Sequence, residues 1–136
     1  MELTKICIDT SVLISYYRST PKTGTFFFQL ASQHQICIPS VVVYEILRGD
    51  KQKDEFWNNV FHAPNVEILN FDADTAAIAA NIYQQLQQKK ALHGKPDTFI
   101  DDILIAATAL QHNLTLATSN KKDFEAIAGL MIKSEN

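Results

Sequence analysis

The run Ile6-Cys7-Ile8-Asp9-Thr10-Ser11-Val12-Leu13-Ile14 sets one acid between two apolar segments. Three β-prone residues end at Asp9, and Thr10 and Ser11 are good starters for the helix that follows. A strand turning at once into a helix is the first half of a β–α–β unit, and the alternation repeats along the chain. Strands are predicted over Leu3–Ile8, Gln35–Ile38, Val66–Asn70 and Leu114–Ala117, with a short fifth candidate at Leu130–Ile132. Helices are predicted over Val12–Arg18, Thr25–Gln33, Val41–Leu47, Asp50–Val60, Asp72 or Asp74 to Gln88, Thr98–Gln111 and Lys122–Ala126. Strands joined by helices run mostly parallel through right-handed crossovers. The predicted class is therefore α/β, and such a sheet offers its site at the carboxyl ends of its strands.

Composition bounds the rest. At 136 residues, 46% apolar and 20% charged, the expectation is a single globular domain over residues 1–136. Four Gly and four Pro are few, which favours helices over a turn-rich all-β chain. A net charge of −3 excludes a nucleic-acid wrapper working by bulk charge. No apolar run reaches the roughly 18 residues of a membrane helix, so no membrane role is expected. Glu2, Lys5 and Asp9 leave no room for a signal-peptide core. Cys7 and Cys37 sit in apolar runs without a C-x-x-C spacing and read as buried reduced thiols, which makes the cytoplasm the expected compartment.

Four acidic positions stand in places that need explaining. Asp9 follows a strand and reads as a helix N-cap or a site acid. Glu45 lies in an otherwise apolar helix and needs either Arg48, three residues on, or a metal. Asp101 and Asp102 open an apolar helix; Thr98 and Asp101 form a capping-box-like pair, which explains one acid better than two. Asp123 follows the fourth strand, where it and Asn120 could simply cap a short helix. Together these acids lie after strand ends or on apolar helices near them. Carboxylates about 5 Å apart repel by roughly 3 kcal/mol at an effective dielectric near 20. If they converge, they need a cation or raised pKa values. Oxygen-only ligands suit Mg²⁺ or Mn²⁺, the apparatus of phosphodiester hydrolysis.

These residues resemble PIN-domain ribonucleases. Residues 6–14 resemble the family's opening, and Val43-Tyr44-Glu45-Ile46-Leu47-Arg48-Gly49 its second acidic motif. Asp102-Ile103-Leu104-Ile105-Ala106-Ala107-Thr108-Ala109-Leu110 resembles the third, and Leu116-Ala117-Thr118-Ser119-Asn120-Lys121-Lys122-Asp123-Phe124 the fourth. The resemblance spans essentially the whole chain and is closest to the VapC toxins of type II toxin–antitoxin pairs. It implies a PIN-like fold with a mostly parallel five-stranded sheet in the order 3-2-1-4-5, flanked by helices. It implies Asp9, Glu45, Asp102 and Asp123 as catalytic acids and metal ligands, with Ser11, Thr118 and Asn120 in support. It further implies an RNA substrate, a VapB-like antitoxin partner and a homodimer. Asp101 departs from the pattern; a helix turns about 100° per residue, so it is expected to point away from Asp102 and cap the helix.

Lysines at positions 51, 53, 89, 90, 95, 121 and 122 gather in predicted loops or helix ends, and Lys121 and Lys122 are the expected phosphate contacts. Phe26-Phe27-Phe28 spans about 200° of a helix, more than a buried stripe covers. Tyr16-Tyr17 and Phe56-Trp57 repeat the theme. In VapC-like proteins the early helices form a groove for the antitoxin's carboxyl-terminal segment, so Tyr16, Tyr17, Phe26, Phe27, Phe28 and Trp57 are candidates for a partner surface. Ser11 argues against a haloacid-dehalogenase-like phosphatase, which would carry an Asp there. A receiver domain using Asp72 would need an acidic pair after the first strand, where only Asp9 stands. The remaining alternative is a PIN fold without catalysis that binds RNA or protein.

Overall fold

The structure, a computed structural model, describes residues 3–52, 55–97 and 99–135. The expectations placed on Glu2, Lys53 and Thr98 lie outside these residues. Five strands form one sheet: β1 (Lys5–Ile8), β2 (Gln35–Pro39), β3 (Val66–Leu69), β4 (Leu116–Thr118) and β5 (Ile132–Ser134). The order is β3-β2-β1-β4-β5, and every neighbouring pair is parallel. The helices are α1 (Thr10–Arg18), α2 (Phe26–Gln33), α3 (Ser40–Gly49), α4 (Glu55–Phe61), α5 (Ala73–Gln88) and α6 (Phe99–Gln111), with a 3₁₀ turn at Lys121–Asp123.

Consecutive strand residues point to opposite faces. Ile6, Cys7 and Ile8 are all buried, as are Leu116, Ala117 and Thr118, so both faces of the central strands are covered. This is why these strands read as unbroken apolar runs instead of alternating patterns. Cys7 pairs in register with Cys37 on β2 and with Leu116 on β4. Both thiols are free and buried. Burial raises the Cys7 pKa strongly, and burial together with Glu67 pushes Cys37 up to about 11, so neither is a nucleophile near neutrality.

Element boundaries shift by a residue or two at most ends. The fourth and fifth strands start two residues later than predicted, after turns at Asn113 with φ 55° and Gly129 with φ 80°. The helix predicted from Asp50 starts at Glu55; Asp50 instead ends α3 as its C-cap. Asp72, not Asp74, caps α5, through a reciprocal capping box with Thr75. Gln111, at the end of α6, donates to the same Asp72 carboxylate at 3.1 Å, and Thr75 donates to its side-chain carbonyl. The start of α5 is thereby tied to the end of α6. These bonds hold the Asp72 carboxyl below its usual range.

The order 3-2-1-4-5 has one consequence for function. From β1 the chain builds outward to β2 and β3 on one side, and β4 and β5 lie on the other. The crevice above the carboxyl ends of β1 and β4 is the switch point where ligands bind in open α/β sheets. Asp9 and Thr118 stand there.

Candidate active site

Asp9 ends β1 and is the N-cap of α1, accepting from the Thr10 N–H at 2.8 Å through Oδ1. Its Oδ2 accepts from the hydroxyls of Ser11 and Thr118, each at 2.8 Å. Those hydroxyls are themselves fixed: the Ser119 N–H donates to Ser11 Oγ at 3.0 Å, and the Asn120 N–H to Thr118 Oγ1 at 2.9 Å. The capping reading of Asp9 is therefore realised, and the same side chain lines the crevice above β1 and β4. An ionised carboxylate has about four lone-pair directions. Three are used, two of them on Oδ2, which leaves one on Oδ1. Asp9 is only 4% exposed, and burial outweighs its three hydrogen bonds in raising its pKa.

Glu45 lies on α3 beside the buried Ile46. Thr10 donates to its Oε1 at 2.6 Å, while Arg48 stands 3.8 Å from Oε2. The metal and Arg48 readings are not exclusive, because the guanidinium touches only one oxygen and at long range. Burial raises the Glu45 pKa, as do Asp101 and Asp9.

The Asp102 carboxyl, in the first turn of α6, has no hydrogen bond to the described residues. Its pKa is pushed up to about 7 by burial first, then by the charges of Asp9, Asp123, Glu45 and Asp101. The acids that lie far apart in sequence thus converge. Asp9, Glu45 and Asp102 line a cavity of about 580 Å³ with Ser11 and Asn120. Thr118 sits beneath it, fully buried. Asp123 acts on Asp102 electrostatically from the 3₁₀ turn without lining the cavity.

Asp101 does not line the cavity, as its helical position predicts; its carboxylate accepts from Arg48 at 3.4 Å and raises the Glu45 pKa. The 100° turn from Asp102 carries it toward α3, which crosses there, so α3 and α6 are pinned together at the rim. The exposed Lys121 and Lys122 do not line the cavity; among the described residues its cation is Arg18, which sequence reading passed over. Its signal was available: Arg18 lies seven residues after Ser11, about two turns on along the same face of α1.

The donors are all oxygen, the chemistry of a hard divalent cation. Among the described residues no three acidic, His or Cys side chains form a ready-made cage. Mg²⁺ fits such a site, because it keeps several waters and takes one or two carboxylates. The free direction on Asp9 and the unpartnered Asp102 carboxyl are two such donors.

The aromatic candidates separate into two groups. Phe26, Phe27 and Trp57 belong to the core at 7%, 7% and 3% exposure, a correction to their reading as surface, although one edge of Phe27 reaches a groove. Trp57 is stacked by Tyr17, Phe56 and Phe61, with ring centroids 5.0–5.9 Å away. Tyr16, Phe27 and the exposed Phe28 line an apolar groove of about 560 Å³ with Phe56 and Val60, between α1, α2 and α4. Tyr17 faces a different cavity.

The model of the PIN domain family matches residues 6–130. The chain is 31% identical over 133 residues to Ribonuclease VapC1 of Methanocaldococcus jannaschii, covering 97% of this chain and 88% of that protein. It is 27% identical over 130 residues to the tRNA(fMet)-specific endonuclease VapC of Shigella flexneri, covering 93% and 94%. Among solved structures, it is similar to DNA-bound VapBC from Salmonella typhimurium (TM-score 0.75, 25% identity, 97% and 98% covered). It is also similar to FitAcB from Neisseria gonorrhoeae (TM-score 0.70, 29% identity, 93% and 95% covered). The chain belongs to the PIN-domain family.

Proposed function

We propose that this chain is a metal-dependent endoribonuclease of the VapC kind, a toxin neutralised by a cognate antitoxin. The observation that carries this reading is the convergence of Asp9, Glu45 and Asp102 at the β1–β4 switch point, with Asp102 raised to about 7 by burial and then by its acidic neighbours. Relatives that match nearly the full chain are named ribonucleases, which agrees with it.

Asp9 and Asp102 would hold a Mg²⁺ or Mn²⁺ ion, with Glu45 and Asp123 completing or flanking the set. Such an ion supplies positive charge for the phosphoryl oxygens and lowers the pKa of a nearby water. Ser11 and Thr118 hold the Asp9 carboxylate at one angle, and Thr10 does the same for Glu45. Glu45, on the cavity wall, orients the attacking water and accepts its proton. The water oxygen bonds to phosphorus as the bond to the 3′ oxygen breaks, and the departing 3′ oxygen takes a proton from solvent, leaving a 5′-phosphate and a 3′-hydroxyl.

The groove between α1, α2 and α4 is proposed to receive an apolar segment of the antitoxin, in keeping with the VapBC and FitAcB assemblies among the similar structures. We further propose one PIN-like domain over residues 1–136, a homodimer, and a cytoplasmic site of action. No described helix is long and apolar enough to cross a membrane. The test is cleavage of total RNA by purified protein with Mg²⁺, with chelator, and with Asp102→Asn. Metal-dependent cutting that Asp102→Asn abolishes is expected. A folded wild-type protein that binds RNA but never cuts it, under any divalent ion, would instead establish the purely binding PIN fold.

A further inference from the structure

The acidic cavity has a neighbour. A second cavity of about 450 Å³ adjoins it, and the two share Ile14, Arg18 and Glu45 on their walls. Arg18 is exposed and forms no hydrogen bond or ion pair with the described residues. Its ordinary role at the last turn of α1 would be to satisfy the helix carbonyls. Lys22 already does this, donating to the carbonyls of Tyr16, Tyr17 and Ser19 at 2.9–3.1 Å. Arg48, the other guanidinium near the site, is engaged with Glu45 and Asp101. Arg18 is therefore a cation at the junction of two cavities with its usual task taken by another residue. Beyond it, the second cavity has Lys51 at its rim and the exposed Tyr17 ring on its wall, backed by the buried Trp57.

A phosphodiester approaching clustered carboxylates is repelled unless cations flank its path. Arg18 and then Lys51 supply that path on one side of the cleft. We infer that the second cavity is a nucleotide subsite for single-stranded RNA. In it, Arg18 pairs with the phosphate next to the scissile one, and the adjoining base rests against the exposed Tyr17 ring. Aromatic contact suits an unpaired base, and a forked guanidinium suits a phosphate. This rests on the nuclease reading above and extends it to where the substrate lies.

The test measures binding separately from cutting. In the Asp102→Asn background, fluorescence anisotropy with a labelled single-stranded oligoribonucleotide gives Kd as a function of salt. Arg18→Gln is expected to raise Kd about tenfold and to flatten the log–log salt slope by about 0.7, the contribution of one phosphate on a single strand. Lys51→Gln should act in the same direction. An abasic nucleotide beside the scissile position should weaken binding about tenfold, and Tyr17→Leu should erase that difference. Unchanged Kd and salt slope in Arg18→Gln would overturn the subsite, whatever the cleavage assay shows. RNA binding that responds to Arg18→Gln in a protein that never cuts would uphold the subsite and sink the nuclease reading instead. Loss of binding to a protein segment alone, with RNA binding intact, would assign the cavity to a protein partner and refute the inference.

Discussion

Thr118 donates a 2.8 Å hydrogen bond to Asp9 Oδ2, joining the ends of β4 and β1 across 109 residues of chain. The same hydroxyl accepts from the Asn120 N–H. Thr118→Val keeps the shape and removes both bonds. It should cost about 1–3 kcal/mol in urea unfolding, because a buried carboxylate loses a donor. Cleavage should fall about tenfold or more through the loosened Asp9. A variant as stable and active as wild type would show that Asp9 is fixed by Ser11 and Thr10 alone.

Stability without metal should fall as pH rises. Asp102 has its pKa raised from 3.8 to about 7, so between these values the folded state holds more protons than the unfolded one. The stability of the folded state from this group is greatest below about pH 4 and is lost as pH rises through 7. Asp9 and Glu45 shift in the same direction. Thermal unfolding in chelator should therefore give a lower Tm at pH 8 than at pH 5. A divalent ion favours the ionised acids, so Mg²⁺ should raise Tm more at pH 8. Asp102→Asn should flatten both trends.

Neighbouring acids should separate in function. Asp102→Asn is expected to reduce metal-dependent cleavage about a hundredfold or more. Asp101→Asn releases Arg48 and relieves Glu45 of one repulsion, leaving Asp9 and Asp102 in place. It should cut within a few-fold of wild type. Equal losses in the two variants would place Asp101 among the acids that act directly.

Phe26 and Phe28 offer a paired test of core against groove. Phe26→Ala should destabilise by about 3–5 kcal/mol, the usual cost of emptying a buried phenyl site. Phe28, 41% exposed, can be changed to Glu with little effect on Tm. If the groove holds the antitoxin, Phe28→Glu should raise its Kd at least about thirtyfold, the scale of an interface hot spot. Unaltered affinity would place the antitoxin elsewhere.

The sheet was legible because its central strands are buried on both faces and its helices begin at recognisable caps. Residues such as Ile6–Ile8 carry the first signal, and Asp9 and Asp72 the second. The acids of the site were legible because a carboxylate in an apolar setting is costly, as at Glu45 and Asp102. What periodicity does not report is the crossing of α3 over α6, and that crossing decides where Asp101 points. Nor does it report which of two adjacent residues faces inward at the end of a short helix. Tyr16 reaches the groove and Tyr17 the other cavity for that reason. Trp57 reads as exposed in a polar stretch, yet three rings close over it.

The strand that completes the crevice is the fourth of five, and it arrives late in the chain. A product of premature termination ending before Leu116 would contain Asp9, Glu45 and Asp102. It would lack the strand beside β1 and the hydroxyl that aims Asp9. On the nuclease reading proposed above, such a fragment should fail to cut RNA even though it carries three of the acids.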